Sequence, residues 1–188
     1  MNKKEIQEWC EGKGYEPEFN GEGIDVIIFG EEHARTNEKF RKPQKELTAI
    51  VKPEFLLHER ASVKTYDSKT RHYGIAPESR ANFAKEFDPD SAIIKWADEQ
   101  GLYVAGIDIS LAELKRKKFR NEDYYESEII NQHREKRMGK RIIEYNAKRT
   151  TIKPNVSIVG QYHILARSAI HPVLQKAKLG YVIINQTR

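Results

Sequence analysis

Asp25-Val26-Ile27-Ile28-Phe29-Gly30-Glu31-Glu32-His33 is a short apolar run that ends in glycine, two acids and a histidine. The pattern returns near the C-terminus as Val156-Ser157-Ile158-Val159-Gly160-Gln161-Tyr162-His163. An unbroken run of β-branched and aromatic residues fits a strand covered on both faces, as in a parallel sheet. In such a sheet the carboxyl ends of the strands share one edge, where crevices form at a switch in strand order. The two Gly-x-x-His segments are therefore expected at one crevice. Each glycine is expected to let the chain turn sharply as it leaves its strand.

Three further apolar runs lie around these two. Phe55-Leu56-Leu57 ends in His58 and Glu59, Leu102–Ile107 ends at Asp108, and Tyr181–Ile184 precedes Asn185 and Gln186. A possible edge strand occupies Tyr15–Phe19. Helical segments alternate with the runs. Asn2 is placed to cap a helix that Gly12 and Gly14 stop. Pro43 suits the first turn of a helix carrying Leu47, Ile50 and Val51. Asp88 and Pro89 open a helix through Trp96, Ser110 caps another, and Ser168 caps a short one carrying Ile170 and Leu174, closed by Gly180. Asn121 caps a long helix on which Ile130, Arg134, Met138, Arg141 and Tyr145 share a face. The alternation predicts an α/β fold: a mostly parallel sheet of about five strands with helices on both faces. In the common doubly wound order 3-2-1-4-5, the first and fourth runs are neighbours, which brings His33 and His163 together.

The 188 residues fit a single domain, 1–188, with the polar, patternless stretch 61–80 read either as a lid over the site or as a floppy insertion. With 38% apolar or aromatic and 32% charged residues, the composition is that of a soluble globular chain. Cys10 is the lone cysteine, read as a small buried side chain, so neither a disulfide nor a cysteine zinc site is expected. The chain has no signal-like N-terminus and no apolar run near the roughly 20 residues of a membrane span, so a cytoplasmic protein without a membrane partner is expected. The net charge of +5 and the basic run Lys115–Arg120 permit nucleic acid, but a solvated helix face is the expected role of that run. There is no dinucleotide or Walker-type glycine loop and no Gly-x-Ser-x-Gly elbow.

Neutral imidazole is a common metal ligand, so His33 and His163 are the candidate metal ligands, with Glu31, Glu32 or Glu59 to complete the set. Manganese, cobalt or zinc is the expected ion. A catalytic metal keeps an open position for water, whose proton Glu32 or Glu59 would take. Arg134 is on the inward face of its helix and needs carboxylate partners, for which Glu32, Glu59 and Asp108 are candidates; Arg137 is near enough to be the site arginine instead. His58, on the opposite strand face from Glu59, reads as core or second shell. His72 falls in the lid, His133 reads as solvated, and His171 opens a helix.

As a set, these segments resemble the erythromycin esterase/ChaN/TraB/Tiki superfamily. Gly30-Glu31-Glu32-His33 is similar to its Gly-Glu-x-His signature and Gly160-Gln161-Tyr162-His163 to its second Gly-x-x-His. Phe55–Glu59 is similar to its strand ending in glutamate. Gly106-Ile107-Asp108, followed by Leu111, Leu114 and Arg116, resembles its TraB-type segment, and Arg134-Glu135-Lys136-Arg137-Met138 its Arg-Glu-x-x-Met helix. The match spans roughly residues 24–186. It implies one site made of the paired histidines, the strand-end glutamate and the helix arginine. The family's activities range from metal-dependent proteolysis and ester hydrolysis to haem binding and pheromone shutdown. The leading expectation is a metal-dependent hydrolase of peptide or ester bonds, with a small molecule or peptide as substrate and a homo-oligomer left open. The alternatives are a non-catalytic protein holding a small ligand or haem in the same crevice, with Tyr162 beside His163, and, behind these, a nucleic-acid binder.

Overall fold

The fold follows from a computed structural model of the chain, which describes residues 1–32, 38–59, 93, 96, 97, 99–108 and 128–187. His33, His72, the 61–80 stretch, the Asp88, Ser110 and Asn121 helix starts and Lys115–Arg120 lie outside the described residues. The strands are β1 (Pro17–Asn20), β2 (Val26–Glu31), β3 (Phe55–His58), β4 (Tyr103–Gly106), β5 (Asn155–Gly160) and β6 (Tyr181–Asn185). The helices used below are α1 (Lys3–Glu11), α2 (Glu38–Val51), α3 (Glu128–Lys148) and α4 (Ile170–Lys176). A single 3-10 turn, Gln161–Ile164, follows β5.

The sheet has six strands in the order β1-β6-β2-β5-β3-β4. Five run parallel, and β1 pairs antiparallel with β6 at the edge. The edge strand expected at Tyr15–Phe19 therefore forms, shifted two residues onward at its start. The order differs from the doubly wound arrangement expected. β5 inserts between β2 and β3, so the first two parallel strands are not neighbours. The adjacency that matters for the site survives, because β2 and β5 pair along their whole length, from Val26 against Asn155 to Glu31 against Gly160.

Alternate residues of each buried strand face opposite layers. Ile27, Phe29, Leu56, Val156, Ile158, Val182 and Ile184 pack with Ile6 and Cys10 of α1, Leu47 and Val51 of α2, and Ile93 and Ala97. Val26, Ile28, Phe55, Leu57, Val159, Tyr181 and Ile183 pack with Met138, Ile142 and Tyr145 of α3 and Ile170 and Leu174 of α4. Helices thus cover both faces. Burial pushes the Cys10 thiol up to about 12, with the Glu11 carboxylate adding to the shift, as suits an inert core side chain.

Local chemistry sets the element ends. The Asn2 side chain accepts from the Glu5 N–H at 3.0 Å while Glu5 accepts from the Asn2 N–H at 2.7 Å, a reciprocal cap for α1. α2 begins at Glu38, five residues before Pro43, so the proline sits inside the helix rather than in its first turn. It forfeits one helical hydrogen bond there. The added turn carries Phe40 and Arg41, both buried. On α3, Ile130, Arg134, Met138 and Tyr145 are buried as expected, but Arg141 is only half-buried and turns to Glu144 at 2.9 Å. Gly139 lies where α4 crosses: a Cβ there would come within 2.8 Å of Val173 Cγ1. α4 stops at Lys176, before Gly180, and Lys178 takes the left-handed turn at φ 55°. Ser168 does not cap α4 as its N-cap residue, which is Ala169; its hydroxyl accepts from the Ile170 N–H at 3.2 Å.

Candidate functional site

Every parallel strand ends in buried polar residues at one edge: Glu31 after β2, Glu59 after β3, Asp108 beyond β4, His163 beyond β5, and Asn185 and Gln186 at β6. They divide into two clusters, one on each face.

The cluster on the α3 face is a chain of opposite charges. Arg134 Nε donates to both oxygens of Asp108, at 3.2 and 3.0 Å, and Nη2 donates to Asp108 Oδ2 at 2.6 Å and to Glu59 Oε1 at 2.7 Å. Arg134 Nη1 also reaches Asn131 Oδ1 at 3.4 Å. Glu59 Oε1 faces His163 Nε2 at 3.3 Å, and Glu59 Oε2 accepts from the Gly160 N–H at 2.6 Å. His163 Nδ1 faces Glu135 Oε1 at 3.2 Å, and Glu135 Oε2 accepts from the Ala169 N–H at 2.8 Å. Three carboxylates thus interleave with two cationic groups, all at most 7% exposed.

Burial alone would lower the His163 pKa. Hydrogen bonds to Glu135 and Glu59, with the Glu59 charge, outweigh both burial and the repulsion of Arg134, and the imidazole is raised to about 9. Burial would likewise raise Glu135, but the bonds from His163, the Ala169 N–H and Ser168 hold it below the usual carboxylate value. His163 thus lies between two carboxylates that favour its protonated form.

The 3-10 turn makes this geometry by bringing His163 back over the sheet edge, buried, while its neighbour Tyr162 is 71% exposed. His171 braces the turn from α4: its Nε2 donates to the Ile164 and Leu165 carbonyls at 3.2 and 3.1 Å, and its Nδ1 meets the Tyr181 hydroxyl at 3.0 Å. The glycines do not act as expected. Gly30 lies inside β2 beneath the turn, where a Cβ would sit 2.0 Å from Ile164 Cδ1. Gly30 makes room for the turn rather than bending its own strand. Gly160 has φ −61° and ψ 142°, open to any residue, and contributes its N–H to Glu59.

The second cluster lies on the α2 face. Glu31, 1% exposed, does not join the Glu59 network. It pairs with Arg41 and accepts from Gln44 Nε2 at 2.6 Å. Arg41 Nη1 also donates to Gln44 Oε1 at 3.1 Å. Gln44 Nε2 reaches Gln186 Oε1 at 2.7 Å, and Gln186 donates onward to the Phe40 carbonyl at 3.1 Å. Sequence reasoning missed Arg41, Gln44, Gln186 and the role of Glu135. The signal for the first two was the stripe 41, 44, 48, 51, with helical spacing and a sheet-facing end at Val51.

The structure brings together Glu59, Asp108, Arg134 and His163, and places Glu31 on the other face. Glu32 is half-buried at the same edge, and Arg137 is half-buried on α3, one helical turn beyond Arg134. His58 is fully buried on the α2 face, and His133 is half-buried. Among the described residues, no group of three or more His, Cys, Asp or Glu side chains is arranged to hold a metal ion. His163 and Glu59 supply two facing donors, and Glu135 behind the ring is the outer carboxylate that orients metal-ligating histidines. This pair fits part of a metal site, to which a third donor must be added. A cavity of about 580 Å³ lies at the opposite end of the parallel strands, between Asn20, Asp25, Gln175 and Lys178, away from all of these side chains. No helix among the described residues is long and apolar enough to cross a membrane.

No protein-family model, curated protein or solved structure matches the chain.

Proposed function

We propose that the α3-face cluster is the active site of a metal-dependent hydrolase of peptide or ester bonds, related to the erythromycin esterase/ChaN/TraB/Tiki superfamily. One observation carries this reading. His163 is fixed through Nδ1 by Glu135 and presents Nε2 to Glu59 at 3.3 Å, at the carboxyl edge of a parallel sheet. His163 and Glu59 would hold the ion, and His33, two residues beyond Glu31 in the chain, would be the third donor. A divalent manganese, cobalt or zinc ion held there would supply Lewis-acid chemistry, lowering the pKa of water and polarising a carbonyl. The chain's own residues divide the remaining work. Glu135 fixes the tautomer and orientation of His163. Arg134, itself held by Asp108, orients Glu59. Glu59 accepts from Arg134 and the Gly160 N–H, and as a ligand it would have no oxygen left for proton transfer. Glu32, half-buried beyond the end of β2, would then be the base.

The test is metal content and hydrolysis by the purified protein, alongside His163→Ala and His33→Ala. Stoichiometric metal in the wild type, its loss in both variants and a fall in hydrolysis of about 10²-fold or more support the reading. Wild-type protein that takes up no manganese, cobalt or zinc on titration, or unchanged hydrolysis by folded His163→Ala, overturns it.

A further inference from the structure

Resting on that reading of the α3 face, we infer that Arg41 is a positioning residue for the site, acting from the other side of the sheet. Glu31 closes β2 and is the ladder partner of Gly160, the residue whose N–H holds Glu59 Oε2 at 2.6 Å. On this final rung, the Glu31 side chain goes to Arg41 and Gln44 on the α2 face while the Gly160 N–H is committed to Glu59 on the α3 face. Arg41, Gln44 and Gln186 fasten the first turns of α2 to the ends of β2 and β6: Gln186 bonds the Phe40 carbonyl through its side chain and the Gly30 carbonyl through its N–H at 3.0 Å. A buried ion pair contributes little net stability compared with apolar packing of the same volume; its attested use is to fix one arrangement over others. Here the arrangement fixed is the height of the β2/β5 rung, and with it the Gly160 N–H and the Glu59 carboxylate. Removal of the Arg41 guanidinium, whose Nη1 meets both Glu31 and Gln44, frees that rung to settle elsewhere, and Glu59 follows.

The experiment uses the ¹⁵N-labelled protein and the Glu31→Gln/Arg41→Met double variant, which removes both charges, with Arg41→Lys as a second variant that keeps the charge and loses the planar guanidinium. The expected result is a Gly160 amide proton moved to lower frequency and exchanging roughly tenfold faster than in the wild type. The Val26 amide, at the far end of β2, keeps its wild-type shift. With p-nitrophenyl acetate as probe, kcat per folded molecule, the folded fraction being taken from the same spectra, falls about tenfold and KM is unchanged; a fall that disappears once the folded fraction is counted overturns the inference. A folded variant with an unmoved Gly160 amide overturns the inference, as does failure of both variants to fold, which assigns Arg41 to stability alone. Wild-type protein inert towards the ester overturns the hydrolase reading, and the Gly160 amide then decides the coupling by itself.

Discussion

The two polar clusters sit at the same height on opposite faces of one sheet, yet they are built differently. On the α3 face three carboxylates alternate with an arginine and a histidine drawn from four separate chain segments. On the α2 face, among the described residues, the Glu31–Arg41 ion pair lies against two glutamines, which donate and accept without charge. The second is how a fold secures a helix to a sheet end. The first gathers far more charge than that task needs, and burying charge is expensive unless each group is paired. On the reading proposed above, the difference separates a joint from a site: among the described residues, one sets its ion pair among neutral amides, and the other keeps a titratable ring between two acids.

That contrast can be broken most directly by removing each arginine. Arg134→Met leaves Asp108 and Glu59 buried without their cation and is expected to cost about 3–5 kcal/mol. Arg41→Met strands one carboxylate, which Gln44 still serves, and is expected to cost less. Urea denaturation of the two variants checks the order, and a larger loss for Arg41→Met reverses the assignment of joint and site.

The pH dependence sharpens the same comparison. The His163 pKa is raised from 6.5 to about 9 in the folded protein. A raised pKa stabilises fully below the unfolded value and is lost as pH climbs through the folded one. Stability is therefore expected to decline between about pH 6.5 and 9, by on the order of 3 kcal/mol. Thermal melts of chelator-treated protein across that window measure it. Glu135→Gln is expected to flatten the slope, whereas Gln44→Met on the other face leaves it in place; a wild-type curve that is flat over this range contradicts the imidazolium geometry.

The smallest expected effect comes from the strand that lies between the clusters. Gly30→Ala drives a methyl into Ile164 and is expected to cost about 1–3 kcal/mol through overpacking. Ile164→Val removes the Cδ1 atom that the new methyl meets first, so the double variant should recover part of the loss in the same melts. No recovery would mean that Gly30 is needed for another reason.

The sheet was legible where strands are continuous apolar runs, as in Val26–Phe29 and Tyr181–Ile184, because covering on both faces leaves a run too hydrophobic for another role. Strand order was not legible. β2, β3 and β5 carry equivalent buried patterns, so nothing local tells β5 to enter between the other two. In the site, Glu59, Asp108 and His163 could be read because each follows an apolar run, and Arg134 because it interrupts an apolar helix face. Glu135 escaped because its inward stripe, 135, 139 and 142, passes through Gly139, which registers as no hydrophobic signal. Arg41 and Gln44 escaped for a related reason. Hydrophobic periodicity counts only apolar residues, and α2 turns a polar line toward the sheet at that edge. The assignment of Gly30 to a turn failed because what it accommodates, Ile164, lies 134 residues further along the chain.

The insertion of β5 between β2 and β3 also bears on how the chain is born. The ribosome releases residues 26–31 and 55–58 long before residues 155–160, yet β5 is the strand that joins them. Until it emerges, β2 and β3 have no shared neighbour, and each presents mostly apolar side chains beside an open edge of unpaired backbone N–H and C=O groups. Closing so long an intervening stretch adds entropy cost only slowly with length, but it delays the reward. The nascent protein thus spends most of its synthesis with its centre missing, the interval in which a holdase chaperone or a sticky neighbour would find it.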